Sequence, residues 1–293
     1  MARERYDVRD RVVLVTGASR GIGADAARRL AKRGAKVSLV GLEPELLQQV
    51  AAEIGPDAAW HEADVTDWDA VRAAVDGTVE RFGGIDVVIA NAGIAPYGTV
   101  ATIDPAAFER TIEVNLLGVW RTVRTALPHV VARSGYILPI ASLAAALHPP
   151  MLAHYAATKA GVEAFADSLR AEIRHTGTRV GVAYFSFIDT DMVREGLESP
   201  SAHILREATP GPFSKTAPLA VAGKAIERGV ERRADKVWAP RWVLPMTWLR
   251  GILQPLSQRG NQDKVTEAVR LAEADAEQGA PAEQALATGP AEQ

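Results

Sequence analysis

The chain contains no cysteine, which excludes disulfides, thiolate metal sites and a cysteine nucleophile. Neither sign of charge dominates. Lys and Arg number 33 against 36 Asp and Glu, a net charge of -3, so no broad basic field attracts nucleic acid or an anionic membrane. No run is long and apolar enough to span a bilayer. The first residues, Met1 to Asp7, are charged and lead into no apolar segment, so no secretory signal is read there and a reducing cytoplasm is the expected compartment. What is present is ordinary for a globular protein: 47% hydrophobic and 24% charged residues, enough to bury a sizeable core in one decorated α/β domain or in two domains.

Strand-like and helix-like stretches alternate along the chain. Arg11 to Thr16, Val37 to Val40, Ala58 to Ala63, Ile85 to Ala90, Tyr136 to Ile140 and Arg179 to Phe185 read as strands, with a last one near Val237. Helices are expected between them, the longest over 105–131 and 151–174. Such alternation implies a doubly wound α/β fold, a parallel sheet of about seven strands with helices on both faces. No repeat of solenoid or propeller period is evident.

Tyr155 and Lys159 are four residues apart in an Ala-rich stretch, so a helix puts them on one face. A free Tyr titrates near pH ~10. A cation at about 4 Å, at an effective dielectric of about 20, favours phenolate by roughly 4 kcal/mol before desolvation. That would make a general acid/base working near neutral pH. The plain alternative is a surface helix that carries both residues by coincidence. Gly17, Gly21 and Gly23 fall between the first strand and the first helix, where free helix N–H groups meet a dinucleotide pyrophosphate. A tight turn without ligand would also use glycine there. Asp64 ends the third strand, where it could accept from an adenine amino group, and Asn91-Ala92-Gly93 ends the fourth. Both lie on the carboxyl edge, where such sheets bind ligands.

Together Thr16-Gly17-x-x-x-Gly21-x-Gly23, Asp64, Asn91-Ala92-Gly93, Asn115, Ser142 and Tyr155-x-x-x-Lys159 resemble the short-chain dehydrogenase/reductase pattern over about residues 8–240. The resemblance implies a single Rossmann-like domain over 1–240 and hydride transfer between nicotinamide and an alcohol or carbonyl. It implies Asn115, Ser142, Tyr155 and Lys159 as the catalytic set. Tyr155 would pass the proton to or from the substrate oxygen and Ser142 would hydrogen-bond that oxygen. Lys159 would tune Tyr155 and hold the nicotinamide ribose, and Asn115 would hold a relay water. Cofactor contacts are implied at Gly17, Ser19, Arg20, Gly21, Ile22, Gly23, Asp64, Val65, Asn91, Ala92, Gly93, Ile188 and Thr190, besides Tyr155 and Lys159. A homodimer or homotetramer is implied as well.

The chain departs from that pattern in two places. Phe185 and Ser186 stand where the family has Pro-Gly, which changes how the following loop can turn. The second strand ends on Gly41, with Leu42 and Glu43 beyond, so no acid is placed for a ribose 2′-hydroxyl unless Glu43 folds back. Arg20 could pair with a 2′-phosphate, and the reading leans to NADP(H) over NAD(H).

Ser142, Leu143, His148, Tyr155 and Phe187 are the expected substrate contacts. The segments 94–97, 143–151 and 185–192 offer few charges, which favours a bulky hydrophobic secondary alcohol or ketone over a sugar or acid. His148 and His154 have no second ligand at metal spacing, so no metal is expected. Residues 193–216 read as a substrate lid. Residues 241–270 form a Trp-rich apolar extension, expected to pack over the pocket or a partner subunit. The alternative is peripheral membrane contact through 238–256, against which Pro245 and Pro255 argue. From 271 to 293 a mostly disordered acidic tail is expected. Two other function classes compete with the oxidoreductase: a catalytically silent nucleotide-binding module, and a methyltransferase, which has no use for the Tyr-x-x-x-Lys helix.

Overall fold

The computed structural model describes residues 5–196, 198–209 and 214–277. Along the first half, β1 (Val12–Thr16), α1 (Gly21–Lys32), β2 (Lys36–Gly41), α2 (Pro44–Ile54), β3 (Ala58–Glu62), α3 (Trp68–Phe82) and β4 (Val87–Ala90) alternate strictly. Then come α4 (Pro105–Ile112), a π-helical turn over Glu113–Leu117, α5 (Gly118–Ala132), β5 (Tyr136–Pro139) and α6 (Ala153–Glu172). The remainder holds β6 (Arg179–Val180), β7 (Ala183–Phe185), α7 (Asp191–Gly196), α8 (Pro200–Ala208), α9 (Leu219–Arg232), β8 (Val237–Ala239), α10 (Val243–Trp248), α11 (Arg250–Arg259) and α12 (Gln262–Glu277). Caps set several boundaries. The Asp67 carboxylate accepts from the Asp69 and Ala70 amides at the start of α3, and Gly83 ends that helix in the left-handed conformation.

Six strands form a parallel sheet in the order β3-β2-β1-β4-β5-β6, and β7 pairs in parallel with β8. The strand expected over 179–185 is thus interrupted at Gly181 and Val182, where the Val182 amide donates to the Asp235 carbonyl and only glycine fits at 181. A Cβ there would lie 2.2 Å from the Tyr136 hydroxyl and 2.3 Å from the Ala234 carbonyl oxygen, which are bonded to each other. Pairing nonetheless continues past the break through Gly181 to Ile137 and Ala141 to Ala183, so β6 and β7 share one line and the strands occupy seven positions.

Strand alternation sends successive side chains to opposite faces. Val13 and Val15 of β1 pack with Val37, Leu39, Ala27 and Leu30 under α1, α2 and α9. Leu14 points the other way, into Val88, Val123, Ala126 and Val162 under α3, α5 and α6. Both faces are covered, as a parallel sheet requires, and the carboxyl edge is left as the one open rim for a ligand.

The extension divides into a buried and an exposed half. Trp238 and Trp242 pack on the core and Val243 is buried. Trp248, Ile252 and Leu256 of α10 and α11 stay exposed. Arg250 pairs with the buried Glu163 on α6 at 2.7 Å, and Gln254 accepts from the His148 amide. The segment therefore sits beside the loop that carries Ser142. The tail expectation is corrected at its start: α12 runs on through Leu271 to Glu277 and packs against α8 with Ala268 fully buried. Residues 278–293 of that expectation lie outside the described residues. Among the described residues no helix is long and apolar enough to cross a membrane.

Candidate active site

The first wall of the site is the turn between β1 and α1. Gly17 and Gly21 have φ of 61° and 57°, a region open to glycine. A Cβ on Gly23 would lie 2.2 Å from the Gly17 carbonyl oxygen, and one on Gly17 would lie 2.9 Å from Ala92 Cα. The loop is braced by the neighbouring strand end: the Asn91 amide donates to the carbonyls of Thr16 and Gly17, and the Thr16 hydroxyl accepts from the Asn91 and Ala92 amides. No side chain caps α1, so its first N–H groups point at the crevice unspent. Across the crevice, Thr190 is close enough that a Cβ on Gly21 would lie 3.5 Å from its methyl. This cradle fits a dinucleotide pyrophosphate: its backbone can approach phosphate where side chains would block it.

Two residues past the end of β3 lies Asp64, whose carboxylate accepts from Arg110 at 2.6 Å and from the Thr66 amide and hydroxyl. Burial pushes this carboxyl up, but Arg110 and Thr66 together hold it below the usual value. The expected adenine acceptor is therefore already paired, and Arg110 is a partner that sequence spacing did not reveal. Val65 is buried against Gly118, whose Cβ would come within 2.6 Å of it.

Glu43 does fold back. Its carboxylate accepts from the Ser19 hydroxyl at 2.6 Å and pairs with Arg20 at 2.9 Å. The expectation of an Arg20 free for a 2′-phosphate is corrected: that guanidinium is engaged by an acid at the rim of the glycine loop.

The second wall brings Ser142, Tyr155, Lys159 and Asn115 together. Ser142, just past β5, donates to the Phe185 carbonyl at 3.3 Å, takes the Ala144 amide on the same oxygen, and is near enough to the Tyr155 phenol to lower its pKa. Lys159 is buried, donates to the Ile140 carbonyl at 2.9 Å, and its ammonium is 5.6 Å from the Tyr155 ring centre. The expected lowering of the phenol pKa by Lys159 is not what this arrangement produces. Burial holds Tyr155 above the usual phenol value, with the Ser142 hydrogen bond opposing it. Burial likewise pushes Lys159 down to about 8. Desolvation outweighs the pair attraction because the two heads are not in contact.

Asn115 sits on the π-helical turn rather than in a regular helix, a feature frequent at functional sites. Its side chain accepts from the Ile94 amide at 2.8 Å, donates to the Ile94 carbonyl at 2.8 Å and reaches the Thr158 hydroxyl. These bonds leave one lone pair on Oδ1 for a further donor. The amide is also a clamp that places Gly93, whose Cβ would be 3.1 Å from Asn115 Oδ1 and 3.5 Å from Lys159 Nζ.

The substrate wall differs more from expectation. Leu143 is half-buried, whereas His148 is exposed at the rim. His154 is buried, its Nε2 2.8 Å from the Pro96 carbonyl. The loop through Phe185 and Ser186 turns with no positive φ from 185 to 190, so the missing Pro-Gly is accommodated without a left-handed residue. Two residues, named in the sequence only as members of segments 94–97 and 193–216, gain definite contacts. Tyr97 packs against α7 at Gly196, where a Cβ would come 2.7 Å from its ring. Burial pushes its phenol up to about 12, with Tyr155 adding to the rise and Arg206 opposing it. Arg206 lies on α8 with its guanidinium carbon 5.7 Å from the centre of the Phe187 ring. Neither has a sequence signal, since an Arg on a surface-like helix and a Tyr in a loop are common. Among the described residues no cluster of His, Asp and Glu could hold a metal ion.

With this geometry in place, similarity to known proteins is informative. A family model described as short chain dehydrogenase matches residues 11–200. The chain is 40% identical over 189 residues to cis-4-hydroxycyclohexanecarboxylate dehydrogenase of Sinomonas cyclohexanicum, spanning 63% of this chain and 76% of that protein. It is 36% identical over 201 residues to trans-4-hydroxycyclohexanecarboxylate dehydrogenase of the same organism, spanning 66% and 78%. Among solved structures, 3-ketoacyl-(acyl-carrier-protein) reductase from Brucella melitensis complexed with NADH superposes with a TM-score of 0.70. It is 27% identical and covers 80% of this chain and 99% of that one.

Proposed function

Since the chain belongs to the short-chain dehydrogenase family of oxidoreductases, we propose that it interconverts a hydrophobic secondary alcohol and its ketone with a nicotinamide dinucleotide. The observation that carries this reading is the buried Lys159, held by Ile140 beside the Tyr155 ring and next to Gly93 on the carboxyl edge, with Ser142 near the same phenol. The bound dinucleotide supplies or accepts the hydride at the carbon that bears the oxygen. Tyr155 gives the proton to that oxygen in reduction and takes it back in oxidation. A phenol held above its usual value stays protonated at neutral pH, which suits the donor role. Ser142 donates to the same oxygen and steadies the charge developing there. Lys159, a cation kept dry behind the phenol, favours the phenolate once the proton has left. Asn115 holds the Ile94 loop and, through Gly93, the floor beneath Lys159.

The Glu43 carboxylate at the rim favours a ribose hydroxyl, a hydrogen-bond donor, over a phosphate that it would repel. The cofactor reading accordingly moves to NAD(H), in keeping with the NADH in the Brucella structure. Glu43→Ala releases Arg20 and removes the repulsion, and is expected to shift the ratio of NADP to NAD efficiency upward by about tenfold or more. Steady-state rates with each cofactor measure this, and an unchanged ratio would remove Glu43 from cofactor choice.

The relatives' names point to a hydroxyl on a six-membered carbocycle, which suits the half-buried Leu143 and the aromatic Tyr97 and Phe187. Absorbance of reduced nicotinamide, followed with 4-substituted cyclohexanols and cyclohexanones, tests the reading as a whole. No turnover with any of them and either cofactor would count against it.

A further inference from the structure

Among the described residues, several cations near the crevice are paired with carboxylates. Arg20 pairs with Glu43, Arg110 with Asp64 and Arg250 with Glu163. Arg206 is half-buried, yet among the described residues no carboxylate lies within ion-pair distance of it. Its Nε donates to the Ser214 carbonyl at 2.8 Å and its Nη2 to the Thr216 hydroxyl, both neutral oxygens. A guanidinium carries five N–H donors, so these two bonds leave the Nη1–Nη2 edge with three. That edge is the one that engages carboxylate through two parallel bonds. The head is also held in place, by Phe187 on one side and by the 214–216 backbone on the other. A fixed fork loses little freedom on binding.

Its position ties it to the reaction. Phe187 follows directly on the β7 strand end whose Phe185 carbonyl accepts from the Ser142 hydroxyl. Tyr97 is within electrostatic reach of both Arg206 and Tyr155. A partly desolvated cation without an anion is unfavourable, and here the cation lies against Phe187, two residues from the Phe185 carbonyl that Ser142 meets.

We propose that Arg206 is the anchor for a carboxylate on the substrate. The molecule turned over is then an anionic hydroxy or oxo acid, its acid and its reacting oxygen separated by an apolar ring or chain lying along Tyr97 and Phe187. This rests on the oxidoreductase reading above and overturns the expectation, drawn from an apolar wall, that acids are disfavoured.

Two measurements on the full chain test it. With NAD, kcat/KM for 4-hydroxycyclohexanecarboxylate is compared with that for its methyl ester, which keeps the ring and hydroxyl but not the charge. The wild-type ratio is expected to favour the acid at least about tenfold. It should collapse toward one in Arg206→Met and be partly kept in Arg206→Lys, which retains the charge without the fork. Equal handling of acid and ester by the wild type, or a ratio unmoved by Arg206→Met, overturns the proposal while leaving the hydride-transfer reading intact. Binding of cyclohexanecarboxylate, which lacks the reacting hydroxyl, is read by calorimetry in the presence of NAD and needs no turnover. Binding that weakens at least about tenfold in Arg206→Met supports the anchor. Absent binding to the wild type, or equal binding by both proteins, overturns it whether or not any alcohol is oxidised.

Discussion

Tyr155→Phe is expected to lower kcat by about 10²–10⁴-fold, the range for removing a positioned general acid/base, with cofactor affinity nearly unchanged. Only one oxygen is lost, and the cradle at Gly17, Gly21 and Gly23 does not involve it. Initial rates together with a fluorescence titration of NADH separate the two effects, and turnover retained within a few fold would take Tyr155 out of the chemistry. The pH dependence adds a second reading. Burial keeps the phenol above its usual value, so oxidation, which needs phenolate, should speed up as pH rises from neutrality. Reduction, which needs the phenol, should hold level over that interval and fall only at higher pH. Ser142 works against burial at this group, so Ser142→Ala should move the rising limb to higher pH as well as slow both directions. A limb that stays in place would mean that Ser142 contacts substrate without influencing Tyr155.

Lys159→Met is expected to destroy activity and stabilise the fold. The ammonium is buried and its pKa is pushed from 10.5 to about 8 by desolvation. Below about pH 8 the folded and unfolded chains both carry the proton, and the folded state bears the full penalty of a buried charge. Between about 8 and 10.5 the unfolded chain still holds a proton that the folded protein has shed, so wild-type stability climbs with pH there. The whole climb corresponds to about 3 kcal/mol. Methionine removes that penalty but forfeits the hydrogen bond to Ile140, worth about 1 kcal/mol. A net gain of about 2 kcal/mol at pH 7 is expected in urea unfolding, shrinking as the pH approaches 10.5. A variant less stable than wild type at pH 7 would show that the ammonium is solvated or paired, contrary to its burial. A cation held at such an expense is consistent with a site selected for chemistry rather than for stability.

Much of this was legible from residue order. The parallel fold follows from strand and helix periods, and the glycine cradle from Gly17, Gly21 and Gly23 lying between a β-branched run and an amphipathic one. Tyr155 and Lys159 are paired by their i, i+4 spacing, whereas Ser142 and Asn115 are named by the family resemblance. Where the reading depended on what a side chain meets after folding, it went astray. Arg20 looked free, but Glu43 reaches it only because the chain doubles back after Gly41. Nor could residue order show that the Asn115 amide clamps Ile94, a residue 21 positions away in the chain.

By itself, then, the order of residues determined the α/β winding, the crevice at its carboxyl edge and the identity of the residues that converge there. These rest on backbone periodicity and on short-range steric rules that act within a turn or two. Only the tertiary structure decided the electrostatics: that burial rather than Lys159 governs Tyr155, that Glu43 neutralises Arg20, and that Arg206 arrives beside Phe187 with no acid to meet it. Charge interactions and desolvation depend on separations across the folded molecule, and residues such as Tyr97 and Arg206, 109 positions apart by number, become neighbours only when the chain closes.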